Sequence, residues 1–452
     1  WSSDVCSSDL RLKEHYEYNS NFDIFWNIKL DKNLCETFIK NNYQDKLYLC
    51  YSLIYSATAK TDLIRHLFLY KHGGCYFDLS VKIINENFIQ LLRDSEFISC
   101  KDENYDLLQN GILYIKNKKS TICEKFILEV LSGVLNYNSN ENNQLSFLYN
   151  QNPTHDAFFY GPNTLFKIYN EEKNNHKCKL LNTYIKERVQ ISEHHWEFMS
   201  TSIDKINSIE YLQVKYIGYN KDIRSFTKNT HYSDNWNKGL HFYSPLNYLD
   251  KILIINLKHR EDRKDEMLQE LNKFQIEKDK IIFIDAVYNK ENGVLGCTAS
   301  HIKCMEYALN NNLDNVLILE DDYDFCKNIN LFNIELTKFL MSNINWDVLL
   351  LNISEHGPPL NIKTDLNNVH SNLWSHSAAA YIMKKTIFKE RIVNLRYSLN
   401  SGKGPHDFHW NNLRLNYKWY INNKILGYQR KSYSDIEKDI VNYKKNLDIY
   451  FY

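Results

Sequence analysis

The sequence predicts an α/β protein with helices wound over mostly parallel sheets, and three observations predict it. A helical stretch runs into a Gly-Gly stop and then a short strand ending in a carboxylate, between residues 61 and 78. A near-continuous apolar segment opens at Lys251. After it, apolar strands and helix-period segments alternate as far as Leu351. Alternation of this kind argues for a doubly wound sheet.

In the first element, Thr61 to His72 (TDLIRHLFLYKH), Leu63, Ile64, Leu67, Phe68 and Tyr70 recur near the helical period. Asp62 stands in the first turn, where a carboxylate favours the helix dipole. Gly73-Gly74 ends the helix. Cys75-Tyr76-Phe77 then starts a strand that stops at Asp78, completing an α/β crossover. Asn136 to Asn143 is polar and Asn-rich, and reads as a loop.

His241 to Leu249, around Pro245, is the expected linker. Lys251 to Leu257 (KILIINL) is a strand of the kind buried on both faces, as in parallel sheets. A charged segment and a helix through Leu271 follow. Ile281 to Ile284 is a second strand, Thr298 to Leu309 a helix, Val316 to Leu319 a third strand, and Trp346 to Leu351 a fourth. The third strand ends at Glu320-Asp321-Asp322, and ligands of such sheets bind beyond the carboxyl ends of the strands.

The chain has 452 residues, which sets two domains as the prior at roughly 100–200 residues each. Lys+Arg and Asp+Glu are both 55, so there is no basic footprint and nucleic acid is not an expected partner. Hydrophobic residues at 43% and charged residues at 24% fill real cores and exclude global disorder. None of the ten cysteines forms a C-x-x-C pair, which points to reduced, mostly buried thiols. No apolar run reaches 18 residues, the length a transmembrane helix needs. Residues 1–10, with Ser-Ser-Asp twice, read as a foreign tail ahead of a truncated N-terminus.

Side chains alternate along a strand, so Glu320 and Asp322 point the same way. Two such carboxylates suit a hard divalent cation, Mg²⁺ or Mn²⁺, which also takes substrate phosphates. The plain alternative is a solvated acidic turn. Two further segments bear on the choice: IINLKHREDR (Ile254–Arg263) and GCTASH (Gly296–His301) precede LILEDD (Leu317–Asp322) in that order. Together they resemble glycosyltransferase family 25, the lipooligosaccharide and procollagen galactosyltransferases. The resemblance spans about Lys251 to Asp435, with Ser377 to Tyr381, His406-Asp407 and Gln429 as later landmarks. It implies a GT-A-type fold, a sugar-nucleotide donor such as UDP-galactose, and inversion at the anomeric carbon. It also implies that Glu320, Asp321 and Asp322 hold the metal and donor diphosphate. Asn256, Arg260 and Arg263 would line the nucleotide pocket, and Ser300 and His301 would face the donor from a helix start. Asp407 would take the proton of the acceptor hydroxyl.

In the first half, Ala59 to Arg65 and Tyr70 to Ser80 resemble glycosyltransferase family 32, the "DXD sugar-binding" transferases, over about Asp23 to Gly239. The resemblance implies that Asp62 and Arg65 contact the donor, that Gly73 and Gly74 let the backbone turn close to it, and that Asp78 is the first metal-associated carboxylate. Ser80 stands where the family has its second Asp, a weaker metal ligand. The family's opening Ile-His-x-x-Trp strand is absent. Asn110-Gly111, Gly161-Pro162, His231 and Trp236 match later landmarks.

The expected organisation is therefore a tail at 1–10, a family-32-like domain at 11–240, a linker at 241–249, a family-25-like domain at 250–436 and a tail at 437–452. The two domains are expected to be GT-A-like units in tandem, acting on a glycan, glycolipid or glycoprotein in the cytoplasm or at a membrane surface. The competing class is a carbohydrate-binding protein with one or both sites degenerate. A metal-dependent phosphatase is disfavoured, because neither acidic run has the D-x-D-x-T pattern. Asn352-Ile353-Ser354 is a formal glycosylation acceptor, but it follows a strand expected to be buried.

Overall fold

The structure, a computed structural model, describes residues 32–55, 57–78, 81–102, 108–139, 161–192, 195–204, 209–215, 242–352, 369–371, 376–402, 405–422, 426–434 and 439–441. Ser80, His231 and Trp236 lie outside the described residues. The chain divides into two compact units: Trp1–Tyr137 with Leu145–Phe242, and Asn138–Gln144 with Tyr243–Tyr452. Both are mixed α/β.

In the first unit, helices α1 (Lys32–Asn42), α2 (Asp45–Leu53) and α3 (Ala57–His72) lead into strand β1 (Gly74–Phe77). The α3 helix starts four residues before the expected Thr61 and stops where expected. Gly73 has φ +67°, and a Cβ there would meet the Lys116 carbonyl at 3.0 Å. Strand β2 (Lys82–Ile83), helix α4 (Asn87–Asp94), strands β3 (Phe97–Asp102) and β4 (Leu108–Ile115), and helices α5 (Thr121–Asn138) and α6 (Pro162–Glu172) follow. Strands β5 (Cys178–Ser192), β6 (His195–Asp204) and β7 (Ile209–Lys215) complete a sheet ordered β1-β4-β3-β5-β6-β7-β2.

Among its described pairings only β3 with β5 is parallel. The expected mostly parallel sheet does not hold here. The connections from β5 to β6 and from β6 to β7 are too short for a crossover, and short connections join antiparallel strands. Strand β1 is likewise no crossover strand: it pairs antiparallel with β4 at one end of the strand order.

The second unit is built on β8 (Lys251–Asn256), whose Ile252, Leu253 and Ile254 have no exposed surface. Each such side chain contributes about 1.5–3 kcal/mol of burial. Parallel partners flank it, β9 (Ile281–Asp285) on one side and β10 (Asn315–Glu320) on the other. Helix α7 (Glu261–Leu271) lies between β8 and β9 in sequence, and α8 (Gly293–Asn310) between β9 and β10. Asn292, just before α8, caps the helix by accepting from Leu295 N–H through its side chain.

Beyond β10 the chain forms β11 (Tyr323–Phe325), α9 (Ile329–Met341), β12 (Val348–Leu350), β13 (Val369–Ser371), β14 (Ala380–Lys384) and α10 (Phe388–Ser401). The short helix α11 (His406–His409) and strands β15 (Trp419–Asn422), β16 (Gly427–Gln429), β17 (Ser432–Ser434) and β18 (Asp439–Val441) follow. The main sheet runs β13-β15-β12-β14-β10-β8-β9. Strand β14 lies antiparallel between β10 and β12, so this sheet is mixed as well. The β9-β8-β10 core keeps the parallel arrangement that places Glu320 at a carboxyl end.

The expected linker is not an exposed connection. Pro245–Tyr248 forms a 3₁₀ turn, Leu246 and Leu249 are fully buried, and Asn247 Nδ2 donates to the Gln275 carbonyl at 2.6 Å. Its sequence, SPLNYL, carries enough apolar surface to pack into the second unit. No disulfide joins any described cysteine. No described helix is long and apolar enough to cross a membrane.

Candidate functional site

Strand β10 delivers three consecutive carboxylates to its carboxyl end, and the structure sends them two ways. Asp321 turns toward β8 and α7. Its Oδ2 accepts from Asn256 Nδ2 at 2.8 Å and its Oδ1 from Arg263 Nη1 at 2.8 Å. Both partners are buried, and Arg263 Nη2 also donates to the Tyr433 carbonyl at 2.6 Å. Asp321 is thus already held through both oxygens, and its geometry is that of an anchor. Glu320 and Asp322 share the other side: Gln429 Nε2 donates to Glu320 Oε2 at 3.2 Å and to Asp322 Oδ1 at 3.4 Å.

These two carboxylates line a cleft with Arg263, Val287, Tyr288, Cys297, Ser300, Asp321, Gln429 and Ser434 among its walls. Burial raises the proton affinity of both, and neighbouring negative charge adds to it. For Glu320 the neighbours are Asp321 and Asp407; for Asp322 they are Glu320 and Asp321. Two desolvated carboxyl groups side by side resist joint ionisation unless a cation joins them.

Behind Glu320 lies a layer of neutral donors. His301 is fully buried, with Nε2 at 3.3 Å from Glu320 Oε1 and Nδ1 at 2.9 Å from the Tyr381 hydroxyl. Burial, then the Arg391 charge, pushes His301 down to about 3. Cys297 Sγ is 3.7 Å from Glu320 Oε1 and 3.7 Å from His406 Nε2. Cys297, His301, Glu320 and His406 offer ligand atoms that all lie within 4.8 Å of one another, a set that resembles a zinc site. The hydrogen bonds argue otherwise. Arg391 Nη2 lies 2.7 Å from His406 Nδ1, and a guanidinium has no acceptor. The His406 proton therefore sits on Nε2, the atom facing the cluster, and its lone pair is not available to a metal. Burial, then His301 and Arg391, holds His406 neutral. The cluster orients Glu320.

Asp407, in α11, accepts from Ser377 N–H through Oδ2 at 2.7 Å. Its Oδ1 is buried and makes no hydrogen bond among the described residues. Ser377 has φ +86°, outside the range a serine normally adopts; such conformations cost of order 1–3 kcal/mol and cluster at functional sites. Its hydroxyl accepts from Asn352 Nδ2 at 2.7 Å, and Asn352 Oδ1 accepts from Ala380 N–H at 3.0 Å. Asn352 is thus buried and fully engaged.

Besides Asp321, which anchors where a metal ligand was expected, and Asn256, which bonds Asp321 and is not among the cleft residues, further expectations for this unit change. Arg260 does not join Arg263 in the cleft: it bonds Asp262 at the exposed start of α7. Ser300 and His301 lie in the body of α8, beyond its first turn, because the helix starts at Gly293. Ser300 spends its hydroxyl on the Gly296 carbonyl and on Val287 N–H, each at 2.8 Å, and so fixes the cleft wall. His301 acts from behind Glu320.

In the first unit, Asp62 and Arg65 sit one turn apart on α3, both buried. Arg65 Nη2 is 3.2 Å from Asp62 Oδ1 and 3.8 Å from Asp78 Oδ1. Tyr76 OH donates to Asp78 Oδ1 at 2.8 Å, and the Arg65 guanidinium lies 4.4 Å from the Tyr76 ring centre. Burial alone would lower the Arg65 pKa; Asp62, Tyr76 and Asp78 outweigh it and hold it raised. Gly111 closes on Asp78, since a Cβ there would stand 2.5 Å from Asp78 Oδ2. Gly161, φ +121°, would bring a Cβ to 4.0 Å from Asp62 Oδ2.

Gly73 and Gly74 are not part of this group. They lie at the opposite end of β1 from Asp78, paired with the end of β4, roughly 13 Å away at strand rise. Their role is the positive-φ stop of α3. Tyr76 and Gly111 carry the site where the sequence reading put the Gly-Gly pair. Strand alternation, which puts residues 76 and 78 on one face, was the signal for Tyr76.

Both family matches place the chain among enzymes that transfer sugars. Residues 291–378 match the family described as glycosyltransferase family 25 (LPS biosynthesis protein), and residues 7–98 match the glycosyltransferase sugar-binding region containing DXD motif. The first match holds Cys297, His301, the acidic strand end and Ser377; the second holds Asp62, Arg65 and Asp78. No curated protein matches the chain. Among solved structures, the crystal structure of mannose-1-phosphate geranyltransferase from Thermus thermophilus is similar at 7% identity and a TM-score of 0.24, covering 38% of this chain and 72% of that one.

Proposed function

We propose that the chain is a bifunctional, metal-dependent glycosyltransferase with two GT-A-like domains in tandem, over residues 11–240 and 250–436. The second domain transfers galactose from UDP-galactose, with inversion, to a glycan, glycolipid or glycoprotein acceptor of the lipopolysaccharide type. The work is done in the cytoplasm or at a membrane surface. The observation that carries this reading is the pairing of Glu320 and Asp322 on one side of the β10 end under a single amide, that of Gln429.

The donor set fits a hard cation. Glu320 and Asp322 offer carboxylate oxygens, the donors Mg²⁺ and Mn²⁺ prefer. Their raised proton affinity reflects burial first and neighbouring carboxylates second. When bound, such an ion neutralises charge on the leaving diphosphate. Asp321, fixed by Asn256 and Arg263, sets the direction of the strand end. Asp407 Oδ1 is the base: the acceptor hydroxyl attacks the anomeric carbon opposite the diphosphate and its proton passes to Asp407. The bond from that carbon to the diphosphate oxygen breaks, and UDP leaves with the electron pair.

In the first domain, Asp62, Arg65 and Asp78 would contact the donor, with Ser80 as a weak fourth group. One observation favours a binding role for this domain. Arg65 lies within 4 Å of both Asp62 and Asp78, so the pair is already engaged with a cation of the protein's own.

UDP- and GDP-sugars tested for nucleotide release by the full chain, with and without Mn²⁺, separate these readings. UDP-galactose with Mn²⁺ is the expected active pair. Asp322→Ala should lower that release by at least about 100-fold, the scale of losing one electrostatic stabiliser, while Asp78→Ala should leave it unchanged. Full release by Asp322→Ala would falsify the metal assignment.

A further inference from the structure

Three of the site's features meet at one residue that the family landmarks leave without a role. Ser377 directs its backbone N–H at Asp407 Oδ2, 2.7 Å away. Its hydroxyl lies 3.5 Å from Gln429 Oε1, and the amide end of Gln429 spans Glu320 and Asp322 at 3.2 and 3.4 Å. Its φ of +86° is a conformation in which glycine is at ease and serine is not. Asn352 Nδ2 holds the same hydroxyl at 2.7 Å, which leaves the hydroxyl proton to point at Gln429. Ser377 is buried at 7% exposure, so these contacts are made without competition from bulk water.

A serine kept at positive φ in a buried position, where glycine would be unstrained, needs a reason located in its hydroxyl. Gln429 supplies one. The primary amide has one acceptor and one donor end. The long, 3.5 Å contact from the Ser377 hydroxyl to Gln429 Oε1 supports the amide orientation in which the NH₂ group spans the acidic pair. Without the hydroxyl the amide could turn over and set its oxygen against Glu320 and Asp322. The N–H of the same residue meanwhile fixes Asp407.

We propose that Ser377 is a positioning residue that sets the Asp407 carboxylate and the Glu320/Asp322 pair in register, through its N–H on one side and through Gln429 on the other. This rests on the reading of those carboxylates as the metal site and base of the second domain.

The test compares Ser377→Gly, Ser377→Ala and Ser377→Thr in the full chain by three measurements: Mn²⁺ affinity by calorimetry, UDP release from UDP-galactose, and thermal midpoint. Ser377→Gly relieves the backbone and removes the hydroxyl. It should melt at or above the wild-type temperature yet bind Mn²⁺ about 10-fold more weakly, the lower end for residues that orient metal ligands. UDP release should fall alongside, in kcat more than in KM. Ser377→Ala should lose both affinity and melting temperature, and Ser377→Thr, which keeps a hydroxyl, should recover Mn²⁺ affinity relative to Ser377→Ala. A Ser377→Gly protein with wild-type Mn²⁺ affinity and UDP release overturns the proposal. So does one whose affinity and melting temperature fall together, which marks a merely structural role. Wild-type protein that neither binds Mn²⁺ nor releases UDP overturns the underlying reading instead, and the proposal with it.

Discussion

The two acidic strand ends of this chain are built at different depths. In the second unit, Glu320, Asp321, Asp322 and Asp407 gather at the end of an interior strand, with Arg263 bonded to Asp321 and lying 3.9 Å from Asp322. The buried histidines beside them are held neutral. In the first unit, Asp62 and Asp78 share Arg65, and the Asp78 side chain keeps 45% of its exposure. Arg391 adds a second buried cation on the Asp407 side of the second unit's site. Both sites thus hold more carboxylates than arginines; the second holds them inside the protein, and the first opens to water at Asp78. A fold buries carboxylates only at a cost, so depth is what sets the second unit's acidic group apart from the first's.

Removing each site's arginine sharpens the contrast. Arg263→Met leaves Asp321 buried and unpaired, a loss of about 3–5 kcal/mol on the scale of broken buried pairs. Denaturant unfolding should show it, and Asp321→Asn in the same chain should restore most of it. Arg65→Met also strips a buried carboxylate, Asp62, of its ion pair, but that contact is longer, 3.2 against 2.8 Å, and Asp78 can turn to water, so the loss should be smaller. Equal losses at the two sites would end the comparison.

The acidic strand end was readable because its signals are local. A run of buried aliphatic residues marks β8 and β10, and strand alternation puts Glu320 and Asp322 together. The helix stop at Gly73 was readable for the same reason. What was not readable depends on partners far along the chain. Nothing near Asp321 says that Asn256 and Arg263 will take both its oxygens. The insertion of β14 between β10 and β12 is decided by pairing across dozens of residues, which nothing local to Ala380–Lys384 specifies. His301 was picked out as a site residue, but its depth was not legible. Its place in the middle of α8 puts it behind Glu320, where a helix start would have put it in front.

Two glycines of the first unit test whether its site is the Asp78 group or the Gly-Gly turn. Gly111→Ala would place a methyl 2.5 Å from Asp78 Oδ2, pushing a half-exposed carboxylate aside at little cost in stability. Any donor binding by this unit should weaken, measured as Kd for a UDP- or GDP-sugar with Mn²⁺. Gly73→Ala should do the reverse. At φ +67°, with the Lys116 carbonyl 3.0 Å from the new Cβ, it should cost about 1–3 kcal/mol and leave donor affinity unchanged. Loss of affinity in Gly73→Ala with none in Gly111→Ala would return the site to the Gly-Gly turn.

The smallest effect tests an ion pair of the first unit away from its site. Glu172, at the end of α6, is held by Lys125 at 2.7 Å and by Thr121 at 2.9 Å, both on α5. Lys125 first, with Thr121 and Asn175 adding and burial opposing, lowers the Glu172 pKa from 4.5 to about 2. A carboxylate depressed on folding contributes stability that is complete above its unfolded value and is lost as pH falls through the folded one. Wild-type protein should therefore be more stable than Glu172→Gln near neutral pH. That difference should shrink as pH falls from 4.5 toward about 2. Urea midpoints for the two proteins across that range decide it. A difference that stayed constant with pH would assign Glu172 a packing role in place of the ion pair.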